Sequence, residues 1–403
     1  MAITDKKKGV WGLDQVYNKE NQGSIWTYSG ASLLHFWNYN SNGRFGLNYV
    51  GSPSNPSSLS GNRASSPIQI PDSSDWKFFK SKIGDPWVVK TDGTLWSWGS
   101  NSYGNLGHNQ GPGQLTGYSS PAQIGSGTDW DEAYSAVFAG CAIKTDGTLW
   151  ICGRNNKGVL GLNQAHDAKV SSPTQLPGTT WKQLATHSHT AAVKTDGTLW
   201  SWGLNQHGQI GANLPENTNY SSPVQIPGTD WASVSGAGGH YSLATRTDGT
   251  LWGWGSNTYG MLGQNSRTWY SSPVQIPGTT WPIDASQYHA NDFASWAVKT
   301  DGTLWGWGIN NQGVLGQNQA QPALYATSSP VQIPGTTWSR VSGSGDNNNI
   351  SATKTDNTLW QWGFGGANCY NSNASYSSPI QISGSWDHRY LNGGSVRAGI
   401  QIK

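Results

Sequence analysis

Charge is scarce in this chain: Asp, Glu, Lys and Arg together make up 11% of 403 residues, against roughly 25% in an average soluble protein. The formal net charge of +2 sets up no field that would draw in nucleic acid or an acidic membrane surface. The one basic run, Lys6-Lys7-Lys8, reads as a solvated terminus. Cysteine is nearly absent: Cys141, Cys152 and Cys369 form neither a disulfide framework nor a cluster with metal-ligand spacing. No window approaches the ~20 apolar residues of a membrane-crossing helix. Residues 1–9 carry charge with no apolar stretch behind them, so no secretory leader is expected. What is plentiful is glycine, with 53 residues, and tryptophan, with 24, enough aromatic mass for a packed interior.

The tryptophans follow a repeat. Lys-Thr-Asp-Gly-Thr-Leu-Trp occurs at 90–96, 144–150, 194–200 and 299–305, with Arg246 opening the copy at 246–252 and Asn357 replacing glycine at 354–360. A period of 50 to 55 residues is that of propeller blades or solenoid units. A Trp-Gly-x-Asn-x-x-Gly-x-Leu-Gly stretch follows directly, as in Trp98 to Gly107, Trp254 to Gly263 and Trp307 to Gly316. A variable loop, a Ser-Ser-Pro-x-Gln-Ile strand and a Pro-Gly-Thr-x-Trp turn complete the unit. Ser-Ser-Pro ends at Pro67, Pro121, Pro173, Pro223, Pro273, Pro330 and Pro379, and the turn tryptophans are Trp76, Trp130, Trp181, Trp231, Trp281, Trp338 and Trp386. Both landmarks give seven units, yet the Asp-Gly hairpin is present six times. The missing copy is split: Ala398-Gly399-Ile400-Gln401-Ile402 matches the strand before the hairpin, and Leu34-His35-Phe36-Trp37 the strand after it. A seventh blade shared by both chain ends leaves no unpaired sheet edge.

The expected fold is therefore all-β: a seven-bladed propeller of four-stranded blades over 31–403, preceded by an N-terminal arm over 1–30. A two-residue type I′ turn at Asp-Gly sets Cys141 opposite Cys152, Trp87 opposite Trp98, Trp296 opposite Trp307 and Leu243 opposite Trp254. A hydrogen-bonded pair suits disulfide geometry poorly, so both thiols are expected reduced and buried. Trp87 and Trp296 are read as packing residues. Nineteen tryptophans take the three recurrent blade positions, and only Trp11, Trp26 and Trp269 have no role in the repeat.

This ordered set of landmarks resembles the repeat of the regulator of chromosome condensation family. The resemblance implies a seven-bladed propeller, and the family's members include a guanine-nucleotide exchange factor that binds a small GTPase and chromatin, secreted inhibitors of β-lactamases, and repeat proteins of bacteria and phages. Fold does not carry function across so broad a family. Sparse charge and the lack of a long basic tail argue against the chromatin-binding member. Gly9-Val10-Trp11-Gly12-Leu13-Asp14-Gln15-Val16-Tyr17 lies outside the repeat and resembles N-terminal segments of tailed-phage virion proteins.

No nucleophile elbow, zinc-protease helix or phosphate loop is present. His187 and His189 lack further ligands for zinc, and Asp346-Asn347-Asn348-Asn349 reads as a polar loop. The repeated Asp92, Asp146, Asp196, Asp248, Asp301 and Asp356 belong to turns. No catalytic residue, cofactor or metal is expected. Function is left to surfaces: the loops Leu47 to Ala64, His108 to Tyr118, Ser266 to Tyr270, Gln287 to Phe293 and Gln319 to Tyr325, which vary in length on a regular scaffold. The expected partner-binding residues are Val10, Trp11, Leu13, Val16, Tyr17 and Trp26 in the arm, with Trp269, Tyr270, Tyr288 and Tyr325 in the loops. The expected role is a virion structural or tail-associated protein that contacts other virion proteins or a host surface receptor. A homo-oligomer is compatible with it; nucleic-acid binding and membrane insertion are not expected. The alternative is a bacterial binding or inhibitor module, in the cytoplasm or at the cell surface, recognising a protein or glycan through its loops.

Overall fold

Every copy of the Lys-Thr-Asp-Gly-Thr-Leu-Trp segment forms a hairpin between the second and third strands of a four-stranded antiparallel sheet. The computed structural model describes residues 33–39, 43–44, 46–47, 63–69, 76–78, 80–81, 85–136, 138–237, 239–319, 324–343, 349–364, 374–392 and 396–401. They make seven sheets, and helical structure among them is confined to single 3-10 turns such as Asn156–Gly158. The first blade comprises Trp76–Phe78, Trp87–Lys90, Leu95–Ser100 and Gly117–Gln123; the second, Trp130–Ser135, Ala139–Lys144, Leu149–Arg154 and Lys169–Gln175. The third runs from Trp181 to Ile226, the fourth from Trp231 to Ile276, the fifth from Tyr288 to Ile333 and the sixth from Trp338 to Ile382. Lys80–Ser81 adds a short parallel strand to the second blade.

The seventh sheet takes Trp386–Asn392 and Val396–Gln401 from one end of the chain and Leu33–Tyr39 and Arg63–Gln69 from the other. Leu34 pairs with Ile400 and Phe36 with Ala398. On one side this sheet meets the sixth blade, where the Trp386 amide donates to the Asn357 carbonyl at 2.8 Å. On the other it meets the first: the Trp98 indole donates to the Arg44 carbonyl at 2.8 Å, and Arg44 Nε lies 2.9 Å from buried Asp85.

The hairpin itself differs from the two-residue turn expected of Asp-Gly. Three residues, Thr145-Asp146-Gly147, form the loop, closed by Lys144 N donating to Thr148 O and Gly147 N to Lys144 O, both at 2.9 Å. Only Gly147 has a positive φ, +78°, as in a type I turn followed by one left-handed residue; Asn357 fills that position at +64°. Asp146 is there as an acceptor. Its Oδ1 takes the Thr148 amide at 2.9 Å and the Thr148 hydroxyl at 2.7 Å, and that hydroxyl accepts from the Trp150 indole at 2.9 Å. The same relay recurs at Asp92, Asp196, Asp248, Asp301 and Asp356.

One residue more in the loop shifts the register by one, which turns each side chain to the other side relative to its expected partner. Cys141 pairs with Ile151 and Cys152 with Gly140; Trp87 pairs with Ser97, Trp296 with Gly306 and Leu243 with Gly253. The two cysteines therefore lie on opposite faces of their sheet. Both are buried free thiols, Cys141 packed with Trp181 and Trp202, Cys152 with Trp87 and Trp130. Cys369 lies outside the described residues.

Adjacent blades are stitched by the third-strand tryptophan, whose indole donates to a carbonyl of the preceding blade. Trp202 donates to Val159, Trp254 to Gln209, Trp307 to Met261 and Trp362 to Val314, at 2.6 to 2.9 Å. In the second blade Cys152 stands in that position, and the equivalent carbonyl, of Asn105, is met by Trp87 from within the first blade at 2.8 Å, as the Val314 carbonyl is met by Trp296 at 3.1 Å in addition to Trp362. Room for the Trp87 ring comes from Gly140, where a Cβ would lie 2.1 Å from Trp87 Cε2. Trp87 and Trp296 are fully buried, as expected of packing residues.

Candidate functional site

In an antiparallel meander the one-to-two and three-to-four connections leave on the same side of the sheet, and the two-to-three hairpins leave on the other. The propeller thus has a hairpin face and a loop face. The hairpin face is regular. In each of the first six blades a Lys or Arg lies over two indoles, as Lys144 does over Trp130 and Trp150 at 4.9 and 5.0 Å, and Arg246 over Trp231 and Trp252 at 4.8 and 4.3 Å. Lys144 is also 3.0 Å from Asp129. These cations fasten aromatic surface together, and their repetition marks them as architecture.

The loop face departs from regularity through aromatic groups that cross between blades. The residue before the second glycine of Trp-Gly-x-Asn-x-x-Gly is Tyr103 in the first blade, His207 in the third and Tyr259 in the fourth, and each reaches the loops of the blade that follows. Tyr103 packs edge-on against Phe138 at 5.2 Å, with the Arg154 guanidinium 5.5 Å from the Tyr103 ring and 5.8 Å from that of Phe138. His207 contacts His240 at 4.9 Å and Trp269 at 4.5 Å. Tyr259 contacts Phe293 at 5.7 Å and Tyr325 at 6.2 Å. Within these clusters Trp269, Phe293 and Tyr325 are 42%, 40% and 48% exposed. Aromatic surface left open on a polar scaffold is a mark of an interaction site.

Fixed geometry supports the clusters. Arg154 holds Asp167 through both carboxylate oxygens at 2.9 and 2.8 Å, which keeps the Asp167 carboxyl below the ordinary carboxylate range. Burial, then the neighbouring His240, hold the His207 imidazole below its ordinary pKa, so it is neutral at pH 7. Gly239, on the one-to-two connection, is tied across the blade boundary by its amide donating to Asp292 Oδ1 at 2.9 Å. Behind the loop of each of the first five blades lies a buried asparagine. Asn155 accepts from the Leu160 amide at 3.1 Å and donates to the Gln164 and Ala165 carbonyls at 2.8 and 3.0 Å.

Of the residues expected to bind a partner, Trp269 and Tyr325 lie exposed on the loop face in two different clusters. Tyr270 opens a strand and is partly buried against its own blade. Tyr288 is corrected by the structure: it belongs to the innermost strand of the fifth blade, 1% exposed, with its hydroxyl 2.8 Å from Ser233. Pro282 follows Trp281 directly and cannot donate to a ladder, so that strand begins late, at Tyr288, and the residue taken for a loop tip is a wall of the core. Val10, Trp11, Leu13, Val16, Tyr17 and Trp26 lie outside the described residues, as do Asp346, Asn347 and Asn348. Tyr103, Phe138, His207, His240, Tyr259 and Phe293 escape a search for repeat-breaking tryptophans. A comparison of the residue preceding the Gly104-type glycine across blades would have found the first member of each cluster.

His189 is fully buried, with Nε2 2.6 Å from Ser242 Oγ across the boundary between the third and fourth blades, which makes it a packing residue rather than a ligand. Among the described residues no three His, Cys, Asp or Glu side chains converge as metal ligands.

The repeat description "Regulator of chromosome condensation (RCC1) repeat" matches residues 92–140, 196–244 and 248–286. Those three segments are similar to RCC1 repeats. Among solved structures, human WBSCR16 is similar with a TM-score of 0.76 and 17% identity, covering 92% of this chain and 99% of that one. Prp20p from Saccharomyces cerevisiae, in a structure described with its binding properties to Gsp1p and histones, is similar with a TM-score of 0.75 and 19% identity, covering 93% of each chain. At such identities the likeness shows an RCC1-like β-propeller fold and nothing finer. No curated protein sequence matches the chain.

Proposed function

We propose that this RCC1-type propeller is a non-enzymatic protein-interaction module that recognises its partner with the loop face, through the aromatic clusters centred on Trp269 and on Phe293 with Tyr325. The observation that carries the reading is the exposure of these three large side chains on one face, each in or beside an inter-blade ring cluster that holds it in place. Rigid aromatic groups lose little conformational entropy on binding and dominate interface energies. Gsp1p and histones, which Prp20p is described as binding, are proteins, which favours the same class here. The test is quantitative affinity capture from the source cell with wild type, a Trp269→Ser, Phe293→Ser, Tyr325→Ser triple variant, and a hairpin-face Lys354→Ser control. Proteins retained by wild type and control but lost from the triple variant support the reading; equal retention by all three refutes it.

The finer role is attachment within a bacteriophage particle through Val10, Trp11, Leu13, Val16 and Tyr17, with the propeller displayed for assembly or host contact. It rests on the sequence of residues 1–30 alone. Light scattering of the full chain beside a chain beginning at Ala31 tests it: oligomerisation that disappears with the arm supports assembly through the arm, and two monomers of equal stability leave only the loop-face module.

A further inference from the structure

Two departures from the repeat meet at the junction of the first and second blades. Cys152 replaces the stitching tryptophan, and His108 follows Gly107 where the second to fifth blades have Leu162, Ala212, Gln264 and Gln317. Those glutamines lie along their own fourth strand, donating to the Gln275 carbonyl at 2.7 Å and the Gln332 carbonyl at 2.8 Å. His108 instead turns inward, with Nε2 3.0 Å from Ser97 Oγ and its ring edge-on to Tyr118 at 5.0 Å. The span that glutamine covers in the fourth and fifth blades is left open here, and a cleft of about 390 Å³ occupies it. That is within the ~300–1,000 Å³ of small-molecule sites.

We propose that this cleft binds a single neutral pyranose ring. Its walls are the Trp130 and Trp150 indoles with Ile124 and Pro173; its polar groups are His108, Asn109 and Lys144. The Lys144 charge is already engaged by Asp129 at 3.0 Å and by both indoles, so the cleft offers no free cation to an anionic ligand. Burial keeps His108 below the ordinary imidazole pKa, and the imidazole presents a neutral edge. At Gly125 nothing lies within 4 Å of where a Cβ would be, so the backbone at that rim stands open to a ligand. Indole surface beside neutral donors and acceptors matches a sugar ring, apolar on its C–H face and hydroxylated at its edge. A ligand of about twelve heavy atoms at roughly 0.3 kcal/mol per atom corresponds to a Kd on the order of millimolar.

The experiment is saturation-transfer NMR on the full chain with methyl β-D-glucopyranoside, methyl α-D-mannopyranoside, methyl β-D-galactopyranoside and N-acetyl-D-glucosamine, with adenosine as a second aromatic-seeking probe. Transfer to the ring C–H protons of at least one sugar is expected. His108→Gln, which restores the residue of the fourth and fifth blades, should weaken that binding by about tenfold or more, as the loss of one hydrogen-bonding group and its space would. To separate binding from folding, the indole N–H signals of tryptophan-labelled wild type are followed as well: Trp150 should shift with added sugar and Trp200 should not. Transfer to no sugar, transfer to adenosine alone, transfer unaffected in a folded His108→Gln protein, or a Trp150 signal that stays still overturns the proposal. The loop-face reading stands or falls separately, since none of its residues lines this cleft.

Discussion

Trp87 and Cys152 exchange roles at the first blade boundary, and exchanging them back should be tolerated when neither change is tolerated alone. Trp87→Leu introduces the residue that Leu243 supplies in the fourth blade, but here it empties part of a fully buried site and removes the donor to the Asn105 carbonyl. Truncating a buried tryptophan to alanine costs about 3–5 kcal/mol; leucine retains about half of the buried surface, for about 2–3 kcal/mol, and the orphaned carbonyl adds about 1 kcal/mol. Cys152→Trp alone forces a second indole toward the space the Trp87 ring holds, at about 1–3 kcal/mol or more. In the double variant the indole introduced by Cys152→Trp takes the position that Trp202 and Trp254 have in their blades, within reach of the same Asn105 carbonyl. The double should lie within about 1 kcal/mol of wild type, a coupling of order 4 kcal/mol, at or beyond the upper end of what contacting residues show. Urea unfolding midpoints at matched slope measure all four proteins. Additive losses, with the double variant least stable, would refute the reasoning that the two sites share one volume beside Gly140.

Three further outcomes follow from the geometry. Asn155→Ala leaves the buried Leu160 amide without its acceptor, a loss of about 1–3 kcal/mol; hydrogen exchange in the peptide containing Leu160 should accelerate on the order of tenfold to a hundredfold, and unchanged protection would count against the asparagine as the organiser of the loop. Burial pushes the Cys141 and Cys152 thiols well up, so peptide mapping after native alkylation at about pH 8 should find both unmodified, with labelling only on denaturation; rapid native labelling would contradict the packing. The hairpin aspartates have carboxyls held below the ordinary aspartate range, first by the hydrogen bond from the threonine hydroxyl. A depressed carboxylate stabilises the fold above its unfolded pKa and loses that effect as pH falls through its folded value. Melting temperature should therefore be level above about pH 5, fall below the ordinary aspartate pKa of about 3.9, and fall less in a protein with several of these aspartates changed to asparagine.

The seven-blade architecture was legible because it rests on residues used many times over. Seven Ser-Ser-Pro strands and seven turn tryptophans count the blades without reference to coordinates, and the split hairpin located the strand pairing between residues 33–39 and 396–401. Register was misjudged because Asp-Gly was taken as a complete two-residue turn. Thr145 joins the loop, and what demands aspartate is the Thr148–Trp150 relay, a side-chain interaction invisible to a turn rule based on φ. The candidate surface was half legible. Trp269 was found because it breaks the repeat; Phe293 and His240 were passed over because they lie in connections that have no fixed residue pattern; and Tyr288 was misplaced because one proline delays a strand.

A repeat so regular also tells where not to look for function. Lys or Arg side chains over paired indoles, and Asp-Thr-Trp relays, occur once in each of the first six blades, and a property present at every blade explains the ring and selects no position on it. Selection requires that one blade differ from its neighbours in a way that packing does not demand. By that criterion Trp87 with Cys152 is a matched pair of departures that cancel structurally, since the carbonyl and the volume are both restored. His108 restores nothing: it turns away from the strand that a glutamine would follow and leaves a cleft beside two indoles. Trp269, Phe293 and Tyr325 likewise leave apolar surface in water that the repeat does not call for. The departures left uncompensated by the fold are those that we assign to a ligand and to a partner.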